Sequence, residues 1–409
     1  MKNKLINQVV ILCGGRGSRL IPLTNKVPKP MIDINGKPFL LILIEYLKSL
    51  NLQNFLLLTG YKNKIISNYF GNGSKFNLNI EYSYSPLSTN TAKRIYLAKN
   101  QLNNNFLLMY SDNFFNFDLE SLTNLFNNQI TSLITKKTPG NIYLDRKTQS
   151  FRYFSKRSKK NPYVELGCMI INKDFIFKFL SNKNKTLSEI LEKASSSNPL
   201  AIKEIVNSYY SIGDIKRLDK TKEFLKLKKI ILIDRDGVIN KKAKKGFYVS
   251  KWDQMTFIKD TIKSLIFLSN QGYRFIIISN QAGLSRNMIA KNDYKKINLN
   301  LRTMFKKLKI NLLNIYTCPH HWEDKCLCRK PNPGLFFRAS KKYNFRLDKV
   351  IYIGDQQSDA EASRNAFVKP VLLINKKKYN KIPSKIKPIM YSSKLSALIK
   401  KIDKFYENK

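Results

Sequence analysis

Three apolar segments in the second half of the chain each end in polar residues that can carry out phosphate chemistry. The segment KKIILI is followed by Asp234 and Asp236, YRFIII by Ser279 and Asn280, and KVIYIG by Asp355. Carboxylates from neighbouring strands form an oxygen cage suited to Mg2+, which in turn binds a phosphate. One carboxylate can attack phosphorus to give an aspartyl phosphate, while a second protonates the leaving oxygen and later activates water. We therefore predict a Mg2+ site at Asp234, Asp236 and Asp355.

A second cluster has the composition of a metal site. Between Cys318 and Cys328 the chain reads CPHHWEDKCLC, which contains three of the five cysteines and both histidines of the protein. Cys318, His320, Cys326 and Cys328 are four ligands that Zn2+ takes tetrahedrally with no open position, so the predicted zinc is structural. It would pin a loop over the phosphatase pocket. His321 remains an alternative to His320, and unpaired cysteines without metal are the simpler alternative.

A glycine-rich loop follows the first apolar segment of the chain. QVVILC runs into GGRGSRL and then PLTNKVPKPM. Backbone N–H groups of such a loop cradle phosphates. The loop lacks the Gly-Lys-Ser/Thr of a Walker A motif and the G-x-G-x-x-G of a dinucleotide fingerprint, so neither of those nucleotide sites is predicted.

Short β-branched segments alternate with longer amphipathic ones along the whole chain, which predicts βαβ units and parallel sheet. The alternation restarts at KKIILIDRDG after a lysine-rich helical segment. We predict an α/β protein of two domains, residues 1–227 and 228–409. The first is Rossmann-like with a mixed sheet, and the second is a doubly wound parallel sheet carrying the zinc loop.

Composition excludes several classes of protein. Apolar residues make up 43% of the 409, and Gly and Pro are few, so the chain is globular rather than disordered or collagenous. The formal net charge is +46, which makes nucleic-acid binding an alternative, but the lysines are spread over the chain without a nucleic-acid module. We expect no nucleic-acid or membrane partner, no signal peptide, and, from the few cysteines, a cytoplasmic location. The sequence leaves the oligomeric state undetermined.

The motifs DRDGVIN, SNQ, RKP and GDQQSD, in that order, resemble the haloacid dehalogenase-like phosphatases. The resemblance is greatest to the histidinol-phosphate and heptose-bisphosphate branch. It implies that Asp234 is the nucleophile, Asp236 the general acid and base, Ser279 and Lys330 the phosphoryl clamps, and Asp355 the third Mg2+ site.

The same resemblance implies further substrate contacts. Arg329, Asn280 and Gln281 match positions that contact substrate in that branch, and residues 246–248 match a second substrate loop. Asp359 lies one helical turn beyond Asp355, and a helix cap explains it equally well.

The string GGRGSRLIPLTNKVPKPM resembles the sugar 1-phosphate nucleotidyltransferases. In that family the loop holds a nucleoside triphosphate while a sugar 1-phosphate attacks the α-phosphorus and pyrophosphate leaves, with Mg2+ offsetting the charge. The resemblance assigns these roles to Gly14, Gly15, Arg19 and Lys29.

Other positions of the first half follow or depart from the same family. Asp112 matches a Mg2+-binding aspartate, Lys156 a lysine that meets the sugar phosphate, and Glu165 and Gly167 the sugar contacts. Two positions depart from the pattern: Ser211 stands where the family has a second metal aspartate, and Ser88 replaces a glycine of the base-binding loop. Asp214 is a substitute ligand that the sequence does not establish.

Together the two resemblances imply consecutive reactions in one chain. A heptose-type phosphatase would remove the 7-phosphate of D-glycero-D-manno-heptose 1,7-bisphosphate, and the first domain would transfer a nucleotidyl group, from GTP, to the resulting sugar 1-phosphate. The product would feed a cell-surface glycan such as lipopolysaccharide. The alternative is a phosphatase alone, acting on heptose bisphosphate or histidinol phosphate, with an inactive nucleotide-binding first domain.

Overall fold

The computed structural model describes residues 5–145, 150–244 and 246–407. The chain divides into two compact units, Met1–Glu223 and Phe224–Lys409. Among the described residues no helix is long and apolar enough to cross a membrane.

The first unit is built on a mixed sheet. Its strands are β1 (Gln8–Leu12), β2 (Asp33–Ile34), β3 (Lys37–Pro38), β4 (Asn54–Thr59), β5 (Asn79–Tyr84), β6 (Asn105–Tyr110), β7 (Asn113–Phe114), β8 (Ile130–Lys136), β9 (Gly140–Asp145), β10 (Ser150–Ser158), β11 (Tyr163–Asn172), β12 (Ala201–Glu204) and β13 (Tyr210–Ser211). Its helices are α1 (Leu23–Lys26), α2 (Phe39–Ser49), α3 (Asn63–Phe70), α4 (Thr91–Leu97), α5 (Leu119–Asn124), α6 (Lys173–Phe177), α7 (Leu187–Ser197) and α8 (Ile215–Leu225).

The main sheet of this unit runs in the order β10-β9-β11-β6-β1-β4-β5; β8 also pairs with β11, and β12 pairs with β8. Strands β6, β1, β4 and β5 are parallel, whereas β11 is antiparallel to β6. Every residue of β1 is buried, because a central parallel strand is covered on both faces, and this explains its uninterrupted apolar sequence.

The second unit is built on a parallel sheet. Its strands are β14 (Ile230–Ile233), β15 (Arg274–Asn280), β16 (Leu312–Cys318), β17 (Ile351–Gly354), β18 (Lys369–Leu373) and β19 (Met390–Ser392). Its helices are α9 (Lys259–Asn270), α10 (Lys291–Lys307), α11 (Gly334–Tyr343), α12 (Gln357–Asn365), α13 (Lys376–Asn380) and α14 (Ile399–Glu407).

The six strands lie in the order β16-β15-β14-β17-β18-β19, and every pair is parallel. Alternate residues of β14 pack into different cores: Ile231 and Ile233 on one face of the sheet, Ile230 and Leu232 on the other. The sheet is therefore covered on both sides, and the predicted α/β fold class of both units is confirmed. The strand order reverses between β14 and β17, and a crevice at such a switch point is where open α/β sheets bind ligands.

Candidate active sites and metal centre

Three carboxylates converge at the switch point of the second unit. Asp234 follows β14, Asp355 follows β17, and Asp359 lies in the first turn of α12. One carboxylate oxygen from each lies within 4.8 Å of the other two. Asp234 and Asp359 are buried, and burial raises the pKa of the Asp234 carboxyl to about 7, with Lys330 opposing this rise and Asp359 adding to it.

The ammonium of Lys330 neutralises part of this charge. Its Nζ lies 3.0 Å from Asp234 Oδ2 and 2.7 Å from Asp359 Oδ1, and it donates to the Tyr352 hydroxyl at 2.6 Å. Although burial acts against its charge, Asp234 and Asp359 raise the pKa of Lys330 above its ordinary value. Lys330 is therefore held in its charged form next to Asp234, close enough to contact a phosphate bound there.

The Asp236 carboxylate does not lie with Asp234 and Asp355 as we predicted, but contacts other groups. It is not part of the three-carboxylate group, where Asp359 stands instead. It accepts from the Arg235 guanidinium at 2.9 Å, from the Asn240 amide at 2.9 Å and from the Gln281 amide at 2.6 Å. Burial acts to raise the pKa of Asp236, but Arg235 and these hydrogen bonds hold it below its ordinary value.

The polar residues at the end of β15 form hydrogen bonds with other residues of the site. Gln281 donates to the Ser279 hydroxyl at 2.9 Å as well as to Asp236. Asn280 donates to the Lys330 carbonyl and accepts from the Lys330 N–H. These two amides, predicted to bind substrate, thus hold the clamp residues Ser279 and Lys330 in place in this structure. Arg329 donates to the His320 carbonyl at 3.3 Å.

The three carboxylates fit a divalent cation. Carboxylate oxygens are the ligands that Mg2+ prefers, and Asp355 Oδ1 is a buried oxygen without a hydrogen-bond partner in the described structure. Asp359 also accepts from the backbone N–H groups of Asp355 and Gln356. Asp359 therefore serves as the helix cap we considered and as a neighbour of the predicted Mg2+ site.

The predicted zinc ligands come together in the second unit. The Cys318, Cys326 and Cys328 sulfurs lie 3.4–3.6 Å from one another, and His320 Nδ1 lies 3.1 Å from Cys328 Sγ. Three sulfurs and one ring nitrogen at these separations fit tetrahedral Zn2+. The other candidate, His321, instead accepts from the Glu323 N–H.

In the first unit, the glycine-rich loop rests on the side chain of Arg94. This guanidinium is buried and donates to the Thr59, Ser85 and Pro86 carbonyls. A Cβ on Gly14 would lie 2.3 Å from Arg94 Cζ, so any other residue there would displace the Arg94 guanidinium. Arg94 was not predicted, because nothing in its helical segment marks it as a loop support.

Lys29 and Asp112 form the centre of this second candidate site. Lys29 Nζ lies 2.5 Å from Asp112 Oδ2. The Ile212 N–H donates to the Asp112 carbonyl at 3.0 Å, so Ser211 lies beside Asp112, where a second metal carboxylate would stand. Asp214 is engaged elsewhere, in an ion pair with Arg217 at 3.2 Å.

The other predicted residues of the first unit differ in exposure. Gly15, Arg19 and Lys156 are exposed, whereas Glu165 is buried. Glu165 Oε1 accepts a short hydrogen bond from the Gly167 N–H, and burial raises the pKa of its carboxyl to about 7, with Asp112 adding to the rise. Gly167 has a φ of +72° at this bulge, and a Cβ there would meet the Tyr110 ring at 2.5 Å, so a residue with a side chain would be strained at this position.

Comparisons with known proteins agree with this division. A nucleotidyl transferase family model matches residues 8–139, and a polynucleotide kinase 3 phosphatase family model matches residues 229–379. The fold and the two sites thus define an enzyme with a nucleotidyltransferase unit and a haloacid dehalogenase-like phosphatase unit, which confirms both predicted resemblances.

Comparison with individual proteins identifies the family of the second unit more specifically. Over 147 residues the chain is 38% identical to D-glycero-beta-D-manno-heptose-1,7-bisphosphate 7-phosphatase from Helicobacter pylori, a match that covers 36% of this chain and 83% of the relative. Through this unit the chain belongs to the heptose-1,7-bisphosphate 7-phosphatase family.

Two further proteins are each similar to part of the chain. Over 141 residues it is 31% identical to the histidine biosynthesis bifunctional protein HisB of Campylobacter jejuni, covering 34% of this chain and 40% of HisB. A crystal structure of HddC from Yersinia pseudotuberculosis complexed with GMP-PN is 21% identical, covers 53% of this chain and 99% of HddC, and has a TM-score of 0.46.

Proposed function

We propose that the chain makes a nucleotide-activated heptose in two steps. The second unit would remove the 7-phosphate of D-glycero-D-manno-heptose 1,7-bisphosphate, and the first would transfer GMP from GTP to the heptose 1-phosphate. The observation that carries the proposal is the convergence of Asp234, Asp355 and Asp359 around Lys330 at the switch point. The family membership of the second unit supports the choice of sugar.

In the first step, the Asp234 carboxylate attacks phosphorus and forms an aspartyl phosphate, and the bond from phosphorus to the sugar oxygen breaks. Asp236 would give a proton to that leaving oxygen and then take one from the water that hydrolyses the aspartyl phosphate. To carry that proton it must first lose its ion pair with Arg235, which holds its pKa low in this structure. Ser279 and Lys330 hold the phosphoryl oxygens. Mg2+, when bound at Asp234 and Asp355 with Asp359 nearby, neutralises negative charge on the phosphoryl group.

Zn2+ bound by Cys318, His320, Cys326 and Cys328 would be structural. Arg329 follows these ligands directly and donates to the carbonyl of His320, so the metal would fix the position of Arg329 and of the neighbouring Lys330. This arrangement supports a role for Arg329 in contacting the substrate.

In the second step, the sugar 1-phosphate attacks the α-phosphorus of GTP and pyrophosphate leaves. The glycine-rich loop, with Gly14 and Gly15, would hold the triphosphate together with Arg19 and Lys29. Asp112 would hold Mg2+, Lys156 would contact the sugar phosphate, and Glu165 would contact the sugar. The pairing of Lys29 with Asp112 supports these assignments, because it joins the loop to the carboxyl end of β6.

Mass spectrometry of the products tests both steps in one tube. The purified protein is incubated with the heptose bisphosphate, Mg2+ and the four common ribonucleoside triphosphates plus dTTP. We expect GDP-heptose and inorganic phosphate. Heptose 1-phosphate without any nucleotide sugar would mean that the first unit is inactive, and a second incubation with histidinol phosphate tests the other phosphatase substrate.

A further inference from the structure

Lys242 makes a contact in the phosphatase site that none of the roles above uses. Its Nζ lies 2.7 Å from Asp355 Oδ2. The Lys242 side chain is 35% exposed, whereas that of Asp355 is 15% exposed. The lysine therefore reaches from the surface of the unit to a partly buried carboxylate.

The two oxygens of Asp355 have different surroundings. Oδ2 is paired with Lys242, whereas Oδ1 is buried and has no hydrogen-bond partner among the described residues. A buried carboxylate oxygen without a partner is costly unless something else binds it. Since Asp355 offers one oxygen to the group formed with Asp234 and Asp359, Oδ1 is the oxygen left for a cation.

The backbone at Gly237 makes room for this pair. A Cβ at this position would lie 2.5 Å from Asp355 Oδ2 and 2.5 Å from Lys242 Cε. The φ angle of Gly237 is +93°, a conformation that L side chains rarely adopt. Lys242 and Asp355 thus meet beside Gly237, and a side chain at that position would push them apart.

We propose that Lys242 is a positioning residue for the metal site. By holding Oδ2, it fixes the rotation of the Asp355 carboxylate so that Oδ1 is presented to a divalent cation, as outer partners of metal ligands do. The proposal rests on the phosphatase function proposed above. Loss of the lysine charge alone would strengthen cation binding, and loss of the fixed carboxylate would weaken it, so the two effects have opposite signs.

The test is a calorimetric titration with Mg2+, in the absence of substrate, of zinc-containing protein freed of Mg2+. All proteins compared carry Asp112→Asn, so that the Mg2+ site proposed in the first unit does not contribute. Lys242→Met should weaken Mg2+ binding about tenfold, within the range found for outer-partner substitutions. Lys242→Arg should restore most of the affinity, because a guanidinium can still hold Oδ2. Lys241→Met is the matched control: it removes the same charge from the adjacent exposed position and should leave the affinity within about twofold of the original.

The outcomes distinguish failure of the positioning role from failure of the metal site itself. Unchanged or tighter Mg2+ binding by the Lys242→Met protein, or equal losses in the Lys242→Met and Lys241→Met proteins, would overturn the positioning role while leaving the phosphatase function standing. Absence of Mg2+ binding by the Asp112→Asn protein with Lys242 intact would overturn the proposed metal site of the second unit and the role of Lys242 together.

Discussion

The Lys330 ammonium lies 3.0 Å from the Asp234 carboxylate, and both side chains are buried. Asp234 comes directly after β14, whereas Lys330 belongs to the loop that follows the cysteine cluster. The pair therefore joins the proposed nucleophile to the segment that follows the predicted zinc ligands.

Replacing the proposed nucleophile should separate the two activities. Asp234→Asn should lower phosphate release from heptose bisphosphate by more than about a thousandfold, because an amide cannot form the aspartyl phosphate. Pyrophosphate release from GTP and heptose 1-phosphate should be unchanged. Both products are measured by coupled colorimetric assays, and loss of both activities would contradict the assignment of two independent sites.

Removing the buried ammonium group of Lys330 should destabilise the second unit. Lys330→Met leaves Asp234 and Asp359 uncompensated, and breaking a buried pair in this way costs about 3–5 kcal/mol in the free energy of unfolding. Trp252 and Trp322 are the two tryptophans of the chain and lie in this unit, so their fluorescence follows its unfolding. Adding Asp359→Asn should recover part of the loss; a double variant no more stable than Lys330→Met would argue against charge as the cause.

Zinc should bind through the four clustered ligands. We expect about one Zn2+ per chain by elemental analysis, and Cys326→Ser should lose most of it together with phosphatase activity, because three ligands bind zinc far less tightly than four. Cys13→Ala is the control, since Cys13 is buried in the first unit. Retention of zinc by the Cys326→Ser protein would exclude Cys326 as a ligand.

The raised pKa of Glu165 predicts a stability difference that depends on pH. The folded first unit retains a proton on this carboxyl up to about pH 7, while the unfolded chain loses it near pH 4.5. The unfolded state therefore gains stability from ionisation as the pH rises between these values. The stability of Glu165→Gln relative to the original protein should increase over this interval by up to about 3 kcal/mol and then level off.

The unfolding of the first unit is followed by calorimetry. Tryptophan fluorescence does not report on it, because the first unit has no tryptophan. A constant difference between pH 4.5 and pH 8 would show that the Glu165 carboxyl titrates normally in the folded protein.

Restoring a second carboxylate should strengthen the transferase. Ser211→Asp places an acid beside Asp112, and we expect about tenfold tighter Mg2+ binding by the first unit and faster nucleotide transfer. Asp214→Asn should change neither quantity, because Asp214 is paired with Arg217. Lower transfer in the Asp214→Asn protein would instead identify Asp214 as the substitute ligand.

The sequence by itself determined the two α/β units, and it predicted most of the residues that the structure brings together in the candidate sites. Uninterrupted apolar strands such as β1 and β14 are recognisable because both faces of a parallel sheet are buried, and the acids that follow such strands meet at the carboxyl edge. The spacing of Cys318, His320, Cys326 and Cys328 was similarly informative, since ligands of one metal within a short loop need no distant partner.

The tertiary structure decided which side chains meet across elements. Asp236 and Asp234 are two residues apart, yet Arg235, Asn240 and Gln281 turn the Asp236 carboxylate away, while Asp359 approaches from α12. Likewise, Arg94 reaches the glycine-rich loop from α4 and Lys242 reaches Asp355 from the turn after β14. Their local sequences carry no mark of these contacts, because side-chain direction and the packing of distant segments select the partners of a long cationic side chain.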